Sequence, residues 1–161
     1  MTATYEPIST QTVSGTSTSV ITFSSIPQTY TDLVLVTAFK QSADVAVNLR
    51  FNSDTATNYS NTRLRGTGSA ADSSRDSNST GIPFAFGTLT ALGNVIWQIQ
   101  NYSNTTTFKT AISRNNNTQD WLGSTVGLYR STSAISTVSV TVASGYIVAD
   151  STFTLYGIKA E

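Results

Sequence analysis

The chain has 161 residues, nine Lys plus Arg, nine Asp plus Glu, a formal net charge of zero, and neither Cys nor His. That length fits one domain with a core of its own. The missing side chains exclude disulfides, thiolate chemistry, Ser–His and Cys–His dyads and the usual zinc sites, and the zero charge gives no support to nucleic-acid or anionic-membrane binding.

Period-two alternation recurs along the chain, whereas the i, i+3, i+4, i+7 spacing of an amphipathic helix does not. A weaker strand is expected over Tyr5–Thr12, then Ser19–Phe23 with Ile21 and Phe23 on one face. Leu33–Phe39 is apolar on both faces and belongs in the middle of a sheet. Val45–Phe51 sets Val45, Val47, Leu49 and Phe51 against Ala46, Asn48 and Arg50. Tyr59–Arg65 and Ile82–Phe86 are weaker strands. Asn94–Gln100 sets Val95, Trp97 and Ile99 against Asn94, Gln98 and Gln100, with Ile96 out of phase. Thr107–Ser113 reads with Phe108 and Ile112 toward the core and Lys109 and Ser113 toward water. Val126–Arg130 is weaker, Ser136–Val142 buries Val138, Val140 and Val142, and Thr152–Lys159 closes the series.

About ten strands with turn signals between them predict an all-β fold, an antiparallel β-sandwich that is jelly-roll-like, as one domain over residues 1–161. Gly66–Gly81, reading GTGSAADSSRDSNSTG, has the composition of a long flexible loop, and Asn115-Asn116-Asn117 reads as a turn. Residues 1–7 are expected to form an extended arm toward a neighbouring subunit, because Pro7 interrupts any early ladder. Glu6 and the lack of an early apolar run give no sign of a signal peptide, and the longest near-apolar run, Leu33–Phe39, is far short of the ~20 residues of a membrane span.

Charged residues make up 11% of the chain, against about 25% in ordinary globular domains, while Ser and Thr together number 51 and Asn 11. The surface is therefore solvated by hydroxyls and amides. Asp72 and Asp76 lie close in sequence but in the expected loop, where nothing fixes the geometry of a carboxylate pair, so no catalytic residue is assigned. Asn52-Ser53-Asp54-Thr55 with Asn58 offers oxygen ligands, yet one carboxylate is too few for Ca²⁺, and Asx turns explain the residues better. No metal and no cofactor is expected. Tyr59, Tyr102, Trp121 and Tyr129 lie among Asn and Ser near strand ends, where they are either core aromatics or a sugar-stacking platform. Arg63, Arg65 and Arg75 form the one local charge excess and read as a rim balanced by Asp72 and Asp76, or as a patch for a protein partner. The sequons at Asn58, Asn78, Asn101, Asn104 and Asn116 are expected by chance in a chain of this composition.

Several strings, in order, carry a resemblance: FSSIPQTYTDLVLV (23–36), RFNSDTATNYS (50–60), NYSNTTTFKTAISR (101–114), VGLYRSTSAISTVSV (126–140) and STFTLYGIK (151–159). Together with Tyr5-Glu6-Pro7-Ile8 they span nearly the whole chain, which is similar to a family of tailed-bacteriophage virion structural proteins. The family pattern has N-G-D where this chain has Ser53, which implies a turn with no strict need for positive φ. The resemblance implies a small, non-enzymatic β-sandwich on the virion. Its first form is a capsid cement (decoration) protein, a homotrimer that bridges and stabilises subunits of the major capsid protein. The alternative is a tail- or fibre-associated module recognising a host surface glycan. The residues assigned to partner contact are Thr2, Tyr5, Pro7, Arg63, Arg65 and Arg75.

Overall fold

The computed structural model describes residues 4–15, 18–84, 91–118 and 121–159. They form strands β1 (Tyr5–Thr12), β2 (Val20–Phe23), β3 (Asp32–Phe39), β4 (Val47–Phe51), β5 (Tyr59–Gly66), β6 (Ala71–Ser79), β7 (Ile82–Pro83), β8 (Gly93–Gln100), β9 (Lys109–Asn117), β10 (Leu122–Tyr129), β11 (Val138–Val142) and β12 (Thr152–Ile158). No helix occurs among the described residues.

The strands make two antiparallel sheets, eight-stranded in the order β1-β12-β3-β8-β9-β10-β5-β6 and four-stranded in the order β2-β11-β4-β7. β1, β3 and β12 belong to the large sheet, and β2, β4 and β11 to the small one, so the chain changes sheet at nearly every early and late connection. The two inner faces share one apolar core. β3 lies inside the large sheet between β12 and β8, as its two apolar faces require. Val47, Leu49 and Phe51 of β4, Val138 and Val140 of β11, and Val95, Trp97 and Ile99 of β8 point into the core, each at 1% exposure or less. The aromatic centre joins the layers: Tyr59 stacks on Tyr129 at 4.8 Å, Phe51 lies 5.6 Å from Tyr129, and Phe84 lies 5.4 Å from Trp97. The small sheet turns hydroxyls outward, with Thr22 and Ser139 bonded across β2 and β11 at 3.2 Å.

Four expectations are corrected. Most of Gly66–Gly81 is strand β6, paired with β5 from Gly66↔Ala71 to Tyr59↔Ser79. Apolar burial does not hold it; Arg65 bonds both oxygens of Asp72 at 2.9 and 2.7 Å, and Arg63 bonds Asp76 at 2.8 Å. Only Thr67–Ala70 is a turn, closed by Thr67 N–H on the Ala70 carbonyl at 2.9 Å with Gly68 at φ +81°. Second, Asn115, Asn116 and Asn117 continue β9. Third, residues 5–7 are no free arm. Tyr5 pairs with Ile158 and Pro7 with Tyr156 of the same sheet, and Glu6 takes Lys159 Nζ at 2.6 Å and the Tyr30 hydroxyl at 3.2 Å. Residues 1–3 lie outside the described residues. Fourth, β9 points the other way from its expected phase. Lys109 and Ser113 are buried, at 0% and 3% exposure, while Phe108 and Ile112 are exposed, at 53% and 38%.

Candidate functional site

The inverted phase of β9 belongs to a larger pattern. In the large sheet, Pro7, Tyr156, Val34, Gln98, Ile112, Val126, Thr62 and Arg75 form one cross-strand row on the side away from the small sheet. The next row on that side runs Thr10, Thr154, Val36, Ile96, Arg114, Ser124, Leu64 and Ser73. No described element covers this face. Val36, Leu64, Leu122 and Val126 stand on it at 37%, 59%, 65% and 51% exposure, beside Ile112 and, at the β1 edge, Tyr5. Shallow depressions of about 340, 260, 210 and 170 Å³ lie on the same face, between Ile96 and Arg114, between Ile112 and Ser124, between Arg75 and Val126, and between Tyr5 and Gln98. An apolar set this broad, studded with hydroxyls and amides, is the composition of an interaction face.

The two edges of the large sheet carry devices that oppose strand addition. β1 has Pro7 and a bulge between Pro7 and Ser9, which turns Ile8 toward the core. β6 has Asp72, Arg75 and Asp76, and a register shift at Asn78, whose φ is 57°. Charges, proline and bulges keep an edge from templating another chain.

Of the residues assigned from sequence, Thr2 lies outside the described residues. Tyr5 is 55% exposed, lies edge-on to Tyr156 at 6.4 Å, and borders the open face together with Pro7. The three arginines do not form one patch. Arg63 and Arg65 turn to the inner side and are paired with Asp76 and Asp72, and the Arg65 guanidinium also lies over Trp121 at 5.5 Å. Arg75 lies opposite Thr62 and points to the open face. The bidentate bond from Arg65 holds the Asp72 carboxyl below its usual range. Reading the sequence missed Val36, Leu64, Ile112, Leu122 and Val126. Their signal was available: apolar residues in alternation on β5, β9 and β10, opposite Asn61, Ser113 and Thr125.

The sugar platform is not assembled, because Tyr59, Tyr102 and Tyr129 are in the core at 0%, 0% and 3% exposure. Burial raises the phenol pKa of all three. The oxygens of Asp54 are engaged within the turn, one by the Ala56 N–H and one by the Asn58 amide, both at 2.8 Å. The Asn58 bond lowers the Asp54 pKa. Ser53, contrary to the expectation from its place in the family pattern, does hold a positive φ, of 55°. Lys109 buries its stem and donates Nζ to the carbonyls of Thr107 at 2.7 Å and Thr132 at 3.2 Å; burial lowers its pKa.

No protein-family model and no curated protein matches the chain.

Proposed function

We propose that this chain is a non-enzymatic bacteriophage virion structural protein, a capsid cement subunit that seats the open face of its large sheet on neighbouring subunits of the shell. The observation that carries the reading is the uncovered face with Val36, Leu64, Ile112, Leu122 and Val126 exposed on it. Eight strands about 4.8 Å apart, each about eight residues long at about 3.4 Å per residue, present roughly 900 Å². A stable protein interface takes about 800 Å² from each partner, so this face alone is large enough. Its registered rows carry few charges, with Arg114 and Arg75 on one side and Asp32 at the end of β3. That suits a crowded lattice of uncharged copies, in which repulsion between neighbours is small.

Topology supports the same reading. We read the order β1-β12-β3-β8 over β2-β11-β4-β7 as jelly-roll-like, widened by β9-β10-β5-β6 on one sheet. We read the widened half as the part added for contact. In this reading the protein is a homotrimer on the virion. The face is given to the shell, and its binding there stabilises the lattice by mass action. Of the four aromatics considered for the alternative, a tail- or fibre-associated glycan module, Tyr59, Tyr102 and Tyr129 are buried and only Trp121 keeps surface exposure.

The test uses shells prepared without the protein. Wild type should bind saturably and raise their burst temperature. Ile112→Asp and Val126→Asp, at positions 38% and 51% exposed on the outer face, should fold and lose both effects. Variants that bind as wild type does would move the contact away from this face. Normal shell stability with lost host adsorption would move the protein to the tail.

A further inference from the structure

The open face carries charge that the rest of the molecule does not answer. Of the nine Lys and Arg side chains, six are held by this chain's own oxygens: Arg63, Arg65 and Lys159 by carboxylates, and Arg50, Lys109 and Arg130 by backbone carbonyls. The side chains of the other three, Lys40, Arg75 and Arg114, have no hydrogen bond or ion pair among the described residues. Lys40 lies just past the end of β3, whereas Arg75 and Arg114 both stand exposed on the open face.

Arg114 lies opposite Ser124, and Arg75 opposite Thr62. Three strand spacings of about 4.8 Å and two residues of about 3.4 Å separate them, roughly 16 Å along the sheet. Ile112, Val126 and Leu64 stand in the block between them, on β9, β10 and β5. Each guanidinium borders its own depression, Arg114 beside Asn94 and Ile96, and Arg75 beside Val126. The one carboxylate in the registered rows of this face is Asp32. Its place in the sheet is roughly 17 Å from Arg114, well beyond the Debye length of about 8 Å. One of its oxygens already takes the Asn101 N–H at 2.6 Å. The widened half thus presents two guanidinium groups around an apolar centre, with no carboxylate in its rows.

Whatever covers this face strips water from both arginines. A partner without acidic groups would leave two charges desolvated and unpaired, at a heavy cost in affinity. Arginine suits the place, because its planar fork takes a carboxylate through two hydrogen bonds while its stem packs on apolar neighbours. A second copy laid face to face does not supply the acids, since four guanidinium groups would meet two Asp32 carboxylates. A phosphate backbone would answer the charges but not Ile112, Val126 and Leu64, and the zero net charge of the chain supplies no wider attraction to it. We propose that this face seats on a protein surface that sets two carboxylates, roughly 16 Å apart, on either side of an apolar patch. This partner chemistry rests on the shell reading and gives it specificity: neutral or basic surfaces are rejected by the stranded arginines.

The test is binding of the full chain to shells prepared without it. Arg75→Glu and Arg114→Glu should each weaken binding about tenfold or more, largely by slowing association, and Arg75→Gln and Arg114→Gln should do so less. Raising the salt from about 50 to about 500 mM should weaken binding of the wild type and leave that of the double Gln variant nearly unchanged. Unfolding midpoints at the wild-type value are expected, because these side chains have no partner among the described residues. Val126→Ser, which changes no charge, tests the face itself. Binding lost by Val126→Ser but kept by both Glu variants leaves the shell reading standing and overturns the acidic partner. Binding kept by all of them, or no binding by the wild type, overturns the shell reading and the partner chemistry with it. Binding lost by the Glu variants but kept by Val126→Ser, or competed away by duplex DNA, would mean a polyanion in place of an acidic and apolar protein, and also overturns the proposal.

Discussion

Ile82 lies directly on Gly127. A β-carbon built on Gly127 would stand 2.5 Å from Ile82 Cγ2, closer than packed atoms come. The contact joins β7, the edge of the small sheet, to β10 in the widened half of the large one. Among the described residues β7 has two registered pairs with its own sheet, Asn48↔Pro83 and Leu49↔Ile82, continued by Phe84 N–H on the Val47 carbonyl at 2.9 Å, and the seating of Ile82 on Gly127 ties this short edge to the large sheet.

Gly127→Ala is therefore expected to destabilise the fold by about 1–3 kcal/mol, the usual range for overpacking a core. Ile82→Ala in the same chain should recover part of that loss, because the conflict is pairwise. Denaturant unfolding of the wild type, both single variants and the double variant checks this. Strictly additive costs would show that Ile82 is not the obstacle.

Period two was legible wherever one face is strongly apolar and the other strongly polar, as at Val47–Phe51 and Val95–Ile99. It reports that two faces exist, not which one meets the core. On β9 the exposed face carries Ile112, in phase with Phe108 just before the strand, and the buried face carries Lys109, Ser113 and Asn115. A sheet that carries apolar residues on its outer side reads backwards for that reason. β6 was illegible because cross-strand charge pairs and the backbone ladder hold it, and its sequence, ADSSRDSNS, has the composition of a linker. Arg75 was grouped with Arg63 and Arg65 by nearness in sequence, whereas the register places it on the opposite face.

β6 is bonded to a neighbour on one side only, being the last strand of its sheet. Hydrogen exchange on the free protein should show every other amide of Ala71–Ser79 protected, those facing β5, with the alternate amides fast. Raising the salt concentration should loosen the segment modestly, because Arg63–Asp76 and Arg65–Asp72 are partly exposed pairs that counterions screen. Uniformly fast exchange would mean that the segment is not paired in solution.

Tyr59, Tyr102 and Tyr129 all ionise above the ordinary phenol value, because burial disfavours the phenolate. Each therefore contributes stability that is complete below about pH 10 and is lost as pH rises from there through the folded-state value, since only the unfolded chain ionises in that window. Lys109 is shifted the other way, so its contribution grows as pH rises toward about 10.5 and does not oppose the tyrosines beyond it. Thermal melts should fall steeply above pH 10, by up to about 1.4 kcal/mol per pH unit for each tyrosine. Tyr59→Phe should lower stability at neutral pH, because Phe51 N–H loses its acceptor at 3.1 Å, and should flatten the alkaline slope. An unchanged slope would place the loss elsewhere.

Asn52 and Ser53 are neighbours in the left-handed region, at φ 52° and 55°, and respond to glycine in opposite directions. Asn52 has a reason to be there. Its Oδ1 accepts the N–H groups of Ser136 at 2.9 Å and Thr137 at 3.2 Å, and its Nδ2 donates to the Ala134 carbonyl at 2.9 Å, tying the β4 end to the approach to β11. Ser53 has no such bond among the described residues, so its side chain bears the conformational cost without return. That cost is about 1–2 kcal/mol for an L-residue, and the greater freedom of unfolded glycine cancels roughly 0.5–1 kcal/mol of the relief. Ser53→Gly is thus expected to stabilise the protein by up to about 1 kcal/mol. Asn52→Gly keeps the backbone angle but strips three hydrogen bonds, and should cost about 1–3 kcal/mol. Denaturant unfolding of the two variants side by side decides it, and shifts of the same sign would mean that backbone angle is not what distinguishes the two positions.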